Sequence, residues 1–119
     1  MAPDARRVTG AAGEDAVAGW YRAHGFEIVD RNWRVREGEI DLVVRRASTI
    51  VFCEVKTRSS DRFGVPAEAV TPAKQRRLRT LAMLWLEAHP GTRGELRFDV
   101  ASVIPSGEQP SVEIVEHAF

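Results

Sequence analysis

The sequence predicts an α/β fold, with one mixed sheet of four to five strands flanked by helices in the order α-β-β-β-α-β-β. Two segments, 39–45 and 50–56, alternate polar and apolar side chains with a period of two and are rich in β-branched residues, which is typical of strands. Two longer segments carry apolar residues three and four positions apart and are followed by Gly25 and by Pro90-Gly91, which is typical of helices. The 119 residues are enough for a single domain, residues 1–119, with a core of its own.

The first helix is predicted from about Gly10 to His24, after a polar segment, residues 1–9, that we expect to be a flexible N-terminus. Glu14 shares a face of this helix with Val17 and Tyr21, so it borders the apolar stripe. Taken alone, Glu14 is most simply an acid in the first helical turn that complements the helix dipole.

A first strand is predicted over Phe26–Trp33, and it is followed by a hairpin formed by segments 39–45 and 50–56. A two-residue loop at Ala47-Ser48 and a four-residue loop over Arg46–Thr49 give the same register, in which opposed residue numbers sum to 95. A slip of one residue would turn the core face of one strand outward.

This register places two acidic residues opposite each other in the middle of the sheet. Asp41 lies opposite Glu54, and Glu39 lies opposite Lys56, while Ile40, Leu42 and Val44 share the other face of their strand. Because like charges directly opposite one another destabilise a sheet, the arrangement calls for a compensating cation. A divalent metal ion would supply it.

The rest of the chain predicts a crossover helix and two further strands. The N-cap and first-position signals of Thr71-Pro72 begin a helix that runs to about His89. In order, we predict a loop over Thr57–Val65, a short helical turn at Pro66–Val70, this helix, a strand at Glu95–Ile104, a turn at Ser106–Pro110 and an edge strand at Val112–Val115. The first three strands form an antiparallel meander, the fourth is parallel to the third, and one helix covers each face of the sheet.

Charge and cysteine content restrict the class of protein. The formal net charge is zero, but residues 31–97 hold 14 Lys and Arg against 8 Asp and Glu, a surplus of six, whereas residues 98–119 hold four acids and no Lys or Arg. A basic middle allows a local phosphate-binding surface.

Cys53 is the single cysteine, which excludes an internal disulfide. No apolar run is long enough to span a membrane and residues 1–12 lack a signal sequence, so we expect a cytoplasmic protein with no membrane partner.

An Asp on one strand followed by Glu-x-Lys on the next, here Asp41 and Glu54-Val55-Lys56, resembles the PD-(D/E)xK nuclease signature, with Ile40-Asp41 in place of the Pro-Asp dipeptide. The fuller pattern is GxxGE at 10–14, GEIDLV at 38–43, FCEVKTR at 52–58, FG at 63–64, Lys74 and RFDV at 97–100. Over roughly residues 10–104 the chain resembles the YraN-type family of predicted endonucleases, which is similar in fold to archaeal Holliday-junction resolvases. The resemblance implies a restriction-endonuclease-like fold.

The resemblance also implies a site for Mg²⁺ or Mn²⁺. Its metal ligands would be Asp41, Glu54 and the carbonyl of Val55, and its catalytic residues would be Glu14, Asp41, Glu54 and Lys56. Carboxylates and a carbonyl are the hard oxygen ligands that Mg²⁺ prefers, and such an ion makes a bound water nucleophilic. Lys56 would orient that water or neutralise developing charge. The residues alone leave open a structural ion network across the strands.

Basic residues around the second helix are the candidates for contacts with nucleic acid. By the resemblance, Lys74 or Gln75 would contact backbone phosphates. The other candidates, from their positions in the basic run of this helix and in the loop after the motif, are Arg76, Arg77, Arg79, Arg58 and Arg62. The alternative is an ordinary solvated helix face. Lys56 and Lys74 are the only lysines among 17 basic residues, and both fall on motif positions, where a compact point charge is of use.

The function predicted from these observations is that of a metal-dependent endonuclease acting on structured or branched DNA. One alternative is a nucleic-acid-binding module that keeps the fold without cleaving. Another is a structural partner in a larger DNA-processing assembly, for example as a homodimer. Retention of Asp41, Glu54 and Lys56 together favours the enzyme.

Overall fold

The computed structural model describes residues 5–57, 70–104 and 109–119, with side-chain surroundings from residue 11 onward. The elements are α1 (Ala5–Ala23), β1 (Glu27–Val35), β2 (Gly38–Arg46), β3 (Thr49–Thr57), α2 (Pro72–Ala88), β4 (Glu95–Ile104) and β5 (Ser111–Val115). The predicted order α-β-β-β-α-β-β is confirmed. The loop predicted after residue 57, the helical turn at 66–70 and the turn at 106–110 lie wholly or largely outside the described residues.

The five strands form one mixed sheet in the order β1-β2-β3-β4-β5. β1, β2 and β3 pair antiparallel, β3 and β4 pair parallel, and β5 returns antiparallel to β4. The predicted meander and the parallel fourth strand are therefore confirmed. Within the described parts of the chain, neither helix is long and apolar enough to cross a membrane.

Two apolar clusters, one on each face of the sheet, hold the helices in place. The α1 cluster consists of Val17, Ala18, Tyr21, Phe26, Leu42, Val44, Val51, Cys53, Ala101 and Val103. The α2 cluster consists of Ile40, Val43, Ile50, Phe52, Leu78, Leu81, Ala82, Trp85 and Phe98. Because residues 50–53 of β3 contribute alternately to both clusters, this strand is buried on both faces, as a strand in a parallel pair commonly is.

The helix ends agree with the predicted capping signals, except at the start of α1. Gly25 adopts a φ of 85° just after α1, and Thr71 accepts a 3.3 Å hydrogen bond from the backbone N–H of Lys74 at the start of α2. However, α1 begins at Ala5, five residues before the predicted start. Alanine and arginine are among the strongest helix formers, and this propensity outweighs the polar character of segment 5–9.

The predicted register of the β2–β3 hairpin is confirmed. Pairing runs from Leu42↔Cys53 to Arg46↔Thr49, so that opposed residue numbers sum to 95. The two strands are joined by the two-residue turn Ala47-Ser48, in which Ala47 has a φ of 53°.

The predicted faces of β2 are wrong at Ile40. We expected Ile40 to lie on the same face as Leu42, but Ile40 belongs to the α2 cluster and Leu42 to the α1 cluster. The alternation is interrupted at Asp41. On β1, the position between the partners of Leu42 and Ile40 is Asn32, which has a φ of 52°. Asparagine tolerates this left-handed conformation better than most residues, so the backbone can change direction here.

A buried ionic network joins α1, β4 and the C-terminal turn. Asp99 has no exposed surface, and its carboxylate accepts hydrogen bonds from the Tyr21 hydroxyl at 2.6 Å, from Nε and Nη2 of Arg97 at 2.9 Å each, and from the His117 backbone N–H at 3.0 Å. Burial raises the pKa of Tyr21 above its usual range, which keeps its hydroxyl protonated as a donor. Because all the donors reach one charge, losing any of them leaves a buried carboxylate poorly compensated.

We predict that Tyr21→Phe lowers the free energy of unfolding by about 1.5–3 kcal/mol, the typical range for a hydrogen bond to a charged group. Urea denaturation of the two proteins measures the difference. Thr80→Val, which removes an exposed hydroxyl from α2, is the control and should change stability little. Equal stability of the Tyr21→Phe variant and the unmodified protein would show that the hydroxyl is not needed by Asp99.

Candidate functional site

A cavity of about 250 Å³ opens where β2 and β3 stop pairing, beside the first turns of α2. Acidic, basic and apolar side chains line it together: Glu39, Asp41, Glu54, Lys56, Lys74, Arg77, Leu78 and Leu81. The strands supply the first four and α2 supplies the others. The residues of the Asp and Glu-x-Lys pattern, far apart in sequence, are therefore brought into one cavity.

The side chain of Asp41 bonds to β3 at the end of the β2–β3 hairpin. The pairing ends at Leu42↔Cys53, so Asp41 and Glu54 are not the directly opposed pair that we predicted. Instead, the Val55 backbone N–H donates a 2.8 Å hydrogen bond to Oδ2 of Asp41. Because the N–H and carbonyl of one strand residue point to the same side of the strand, the Val55 carbonyl also faces Asp41.

Burial and neighbouring carboxylates together disfavour the ionised form of Asp41. Loss of solvation is the largest effect, and the charge of Glu54 is the next; they raise the pKa of Asp41 from 3.8 to about 7. The hydrogen bond from Val55 acts in the opposite direction, while Glu14 and Glu39 raise this pKa further. In the absence of a cation, this carboxylate is therefore electrostatically unfavourable in its ionised state.

The ion pairs at the cavity differ from the predicted ones. Nζ of Lys56 lies 3.3 Å from Oε1 of Glu54, two residues earlier on the same strand, rather than pairing with Glu39. Glu39 instead approaches β1, where Nε of Arg34 lies 3.3 Å from its Oε2. Glu39 pairs across β1–β2 because its residue partner in that ladder is Arg34. The pattern of the β2–β3 hairpin alone does not reveal this partner, because Arg34 lies on β1.

Glu14 lies at the far side of the site, on α1. Since α1 begins at Ala5, Glu14 is well inside the helix, and the alternative of a first-turn acid at the helix dipole is wrong. Its Oε1 lies 4.0 Å from Nη2 of Arg31, which makes a closer contact of 2.8 Å with Asp15. Glu14 is near enough to Asp41 to raise the pKa of that residue.

Gly13 allows α1 to approach the end of β3. A Cβ atom at position 13 would collide with Oγ1 of Thr57, the last residue of β3. The helix can come this close only because the residue before Glu14 has no side chain. Gly13 belongs to the GxxGE pattern, and a glycine inside a helix, where it costs stability, is the sequence signal of such a close approach.

The site offers oxygen ligands that fit a magnesium ion. Asp41, Glu54 and the Val55 carbonyl are hard donors, and Mg²⁺ is commonly held by one or two carboxylates with water completing its shell. Within the described ranges, no three His, Cys, Asp or Glu side chains are grouped closely enough to hold a metal ion between them. Glu14 is therefore a neighbour of the two carboxylates here and not a third member of a preformed cluster.

The basic residues predicted to contact nucleic acid are divided by the structure. Lys74 and Arg77 line the cavity, and neighbouring Lys56 lowers the pKa of Lys74. Arg76 is exposed, and Gln75 donates a 3.2 Å hydrogen bond to the Val70 carbonyl.

Arg79 has a different position. Its guanidinium carbon lies 5.2 Å from the ring centre of Phe98 and 5.4 Å from that of Phe119, so it packs beside the α2 cluster, and it is not among the residues that line the cavity. Arg58 and Arg62 lie outside the described residues.

Comparison with known proteins gives a consistent result. Residues 13–103 match the model of a family described as uncharacterised protein family UPF0102. A UPF0102 protein of Clavibacter michiganensis subsp. michiganensis is 54% identical over 110 residues, which cover 92% of this chain and 93% of the relative. A UPF0102 protein of Frankia casuarinae is 50% identical over 116 residues, covering 97% and 98%. One of Nocardia farcinica is 47% identical over 115 residues, covering 96% and 91%.

We predict opposite effects for alanine at two glycines of α1. Gly19 is exposed and a Cβ there would meet nothing within 4 Å, so Gly19→Ala should stabilise the protein by about 0.5–1 kcal/mol through helix propensity. Gly13→Ala should destabilise it by about 1–3 kcal/mol, because Thr57 and the helix must move apart. Thermal and urea denaturation compare the two variants directly. Equal stabilisation by both would mean that α1 does not depend on close contact at position 13.

We also predict that Asp41→Asn changes the pH dependence of stability in metal-free buffer. Between pH 3.8 and about 7, the folded protein keeps a proton on Asp41 that the unfolded chain has lost, so the stability of the unmodified protein falls as pH rises through this window. The Asp41→Asn variant does not lose stability in this way, and its amide oxygen can still accept the hydrogen bond from Val55. The free energy of unfolding of the variant, minus that of the unmodified protein, should therefore grow by about 2–3 kcal/mol from roughly pH 5 to pH 8.

The measurement is a series of urea unfolding curves in EDTA across that pH range. Glu87→Gln, which neutralises an exposed acid on α2, is the control. The difference between its free energy of unfolding and that of the unmodified protein should not grow over this pH range. An Asp41→Asn advantage that stays constant or shrinks with rising pH would contradict the electrostatic account of the site.

Proposed function

We propose that this chain, which belongs to the uncharacterised protein family UPF0102, is a metal-dependent endonuclease that hydrolyses phosphodiester bonds in DNA. The observation that carries the proposal is the placement of Asp41, Glu54 and Lys56 in one cavity, with the pKa of Asp41 raised to about 7 by burial and by Glu54. A strongly perturbed carboxylate in a cleft is characteristic of a functional site.

The proposed cofactor is Mg²⁺ or Mn²⁺, held by the carboxylates of Asp41 and Glu54 and by the Val55 carbonyl. When bound, such an ion lowers the pKa of water and stabilises negative charge on a phosphoryl oxygen. The raised pKa of Asp41 supports this role, because a nearby cation favours the ionised carboxylate that burial and Glu54 disfavour. The hydrogen bond from Val55 fixes the orientation of the same carboxylate.

We propose that Lys56 orients the attacking water or neutralises the negative charge that develops on the phosphoryl group. Its ammonium group contacts Glu54 at 3.3 Å, which holds it within the cavity. Lys74 lies close enough to Lys56 for the pKa of Lys74 to fall, so two cations adjoin the two carboxylates. Together with Arg77 they favour the approach of a phosphate to a site that would otherwise repel it.

As substrate we propose structured or branched DNA, which follows from the resemblance to Holliday-junction resolvases. The cationic part of α2 supports a nucleic-acid partner. Lys74, Arg76 and Arg77 lie within its first two turns, two of them in the cavity wall. Contacts of this kind with the phosphate backbone are independent of base sequence.

We predict that Asp41→Ala, Glu54→Ala and Lys56→Ala each reduce cleavage by about 10²–10³-fold or more, because each removes a group that binds the metal ion or stabilises the transition state. The assay is a cleavage screen with Mg²⁺ and with Mn²⁺ over duplex, single-stranded, flap and four-way-junction DNA. Since the three residues act together, double variants should lose little more activity than single ones.

Glu95→Ala, at an exposed acid that begins β4, is the control and should retain activity. Cleavage that persists in all three variants would contradict the assignment of Asp41, Glu54 and Lys56 as catalytic residues. If the protein binds DNA but cleaves none of the four DNA forms with either metal ion, the result would instead favour a nucleic-acid-binding module.

A further inference from the structure

The turn between β1 and β2 lies directly against the wall of the cavity. Val35↔Gly38 is the last pair of these strands, and Arg36 and Glu37 between them are exposed. A Cβ atom built on Gly38 would come within 3.3 Å of Leu81 and 3.6 Å of Arg77. Because both of those α2 residues line the cavity, Gly38, which ends the turn, packs against the cavity wall.

Arg34, near the end of β1, and Arg36, in the turn, are both exposed to solvent. Arg34 is 76% exposed, and its Nε lies 3.3 Å from Glu39, whose own side chain is more exposed than that of Glu54, at 32% against 18%. The contact with Glu39 is made by Nε, and an arginine guanidinium carries five N–H donors. Arg36 adds a second exposed cation two residues away.

The carboxylates of the cavity repel the phosphates of DNA, so a second group of cations near the cavity would favour DNA binding. Glu39, Asp41 and Glu54 face any phosphate that enters, and a DNA strand carries negative charge on both sides of the bond to be cleaved. The first turns of α2 supply cations on one side of this mouth. The end of β1 and the β1–β2 turn supply Arg34 and Arg36 against a single acid, Glu37, and Arg34 also neutralises Glu39.

We propose that Arg34 and Arg36 form a second phosphate-binding surface, the turn surface, which holds the DNA backbone next to the phosphodiester bond that reaches Asp41 and Glu54. This proposal rests on the proposed function, since it assigns additional contacts to the same substrate. The turn surface binds phosphates and takes no part in the chemical step. It therefore contributes to affinity, and to its dependence on salt, without reading base sequence.

The test is the binding of fluorescently labelled DNA, measured by anisotropy in EDTA, so that the DNA stays intact. Duplex, single-stranded, flap and four-way-junction forms are compared first, and the form that the unmodified protein binds most tightly is titrated at several salt concentrations. Arg36→Gln should weaken binding about five- to tenfold at about 0.1 M salt and reduce the slope of log K against log salt by about one. The Arg34→Gln/Arg36→Gln double variant should lose more affinity and more slope than Arg36→Gln alone.

Arg93→Gln is the matched control. Arg93 is an exposed arginine in the connection that follows the C-terminal end of α2, whereas Lys74 and Arg77 lie in the first two turns at the other end of this 17-residue helix. Arg93→Gln removes the same single positive charge as Arg36→Gln, but at a different place on the surface. If position matters, the DNA affinity and salt slope of the Arg93→Gln variant should equal those of the unmodified protein. Thermal melts of every variant confirm that the fold is retained.

Each outcome decides between the two proposals. If the unmodified protein cleaves DNA but both turn variants bind like Arg93→Gln at every salt concentration, the turn surface is wrong and the proposed function stands. If the protein binds without cleaving and the turn variants lose slope, the turn surface stands and the endonuclease activity is wrong. If none of the four DNA forms is bound in EDTA and none is cleaved with Mg²⁺ or Mn²⁺, both proposals are wrong.

Discussion

The hydrogen bond from the Val55 backbone N–H to the Asp41 carboxylate, 2.8 Å long, sets the geometry of the site. Beyond Leu42↔Cys53, β2 and β3 no longer pair, and a strand that leaves its neighbour normally exposes unpaired backbone donors. The Asp41 side chain takes over the role of a strand partner for Val55. The strands can therefore stop pairing beside the cavity without leaving this N–H of β3 unpaired.

The rest of the domain prevents this site from relaxing. β3 is buried on both faces, so Glu54 is carried by a strand that cannot shift without disturbing two apolar clusters. Lys56 pairs with Glu54, and no such ion pair relieves Asp41 among the described residues. The pKa of Asp41 consequently stays high, at about 7. The stability of the sheet thus maintains an electrostatic conflict that a bound cation would remove.

Period-two patterning predicted the strands and their register because each slip would expose a core face, as the confirmed pairing of Cys53 with Leu42 illustrates. It did not predict that the β2–β3 pairing ends here, because the side chain of Asp41 and not its backbone bonds to Val55. It did not predict the partner of Glu39, because Arg34 lies on a different strand, β1. Arg79 could not be placed without knowing that the C-terminal residue, Phe119, returns beside α2. Periodicity describes one element at a time, whereas these features depend on contacts between elements.

Asp41 and Asp99 are both withdrawn from water, but their surroundings are opposite. Asp99 accepts hydrogen bonds from a hydroxyl, a guanidinium and a backbone N–H, which together compensate its charge. Among the described residues, Asp41 accepts one hydrogen bond, from Val55, and the charges that act on it most strongly are other carboxylates. A buried acid whose acceptor sites are filled by the protein stabilises the fold, while an acid short of donors in a cavity remains available to a ligand. Both belong to the pattern that resembles the family, yet only Asp41 has the surroundings of a site, and RFDV at 97–100 is structural.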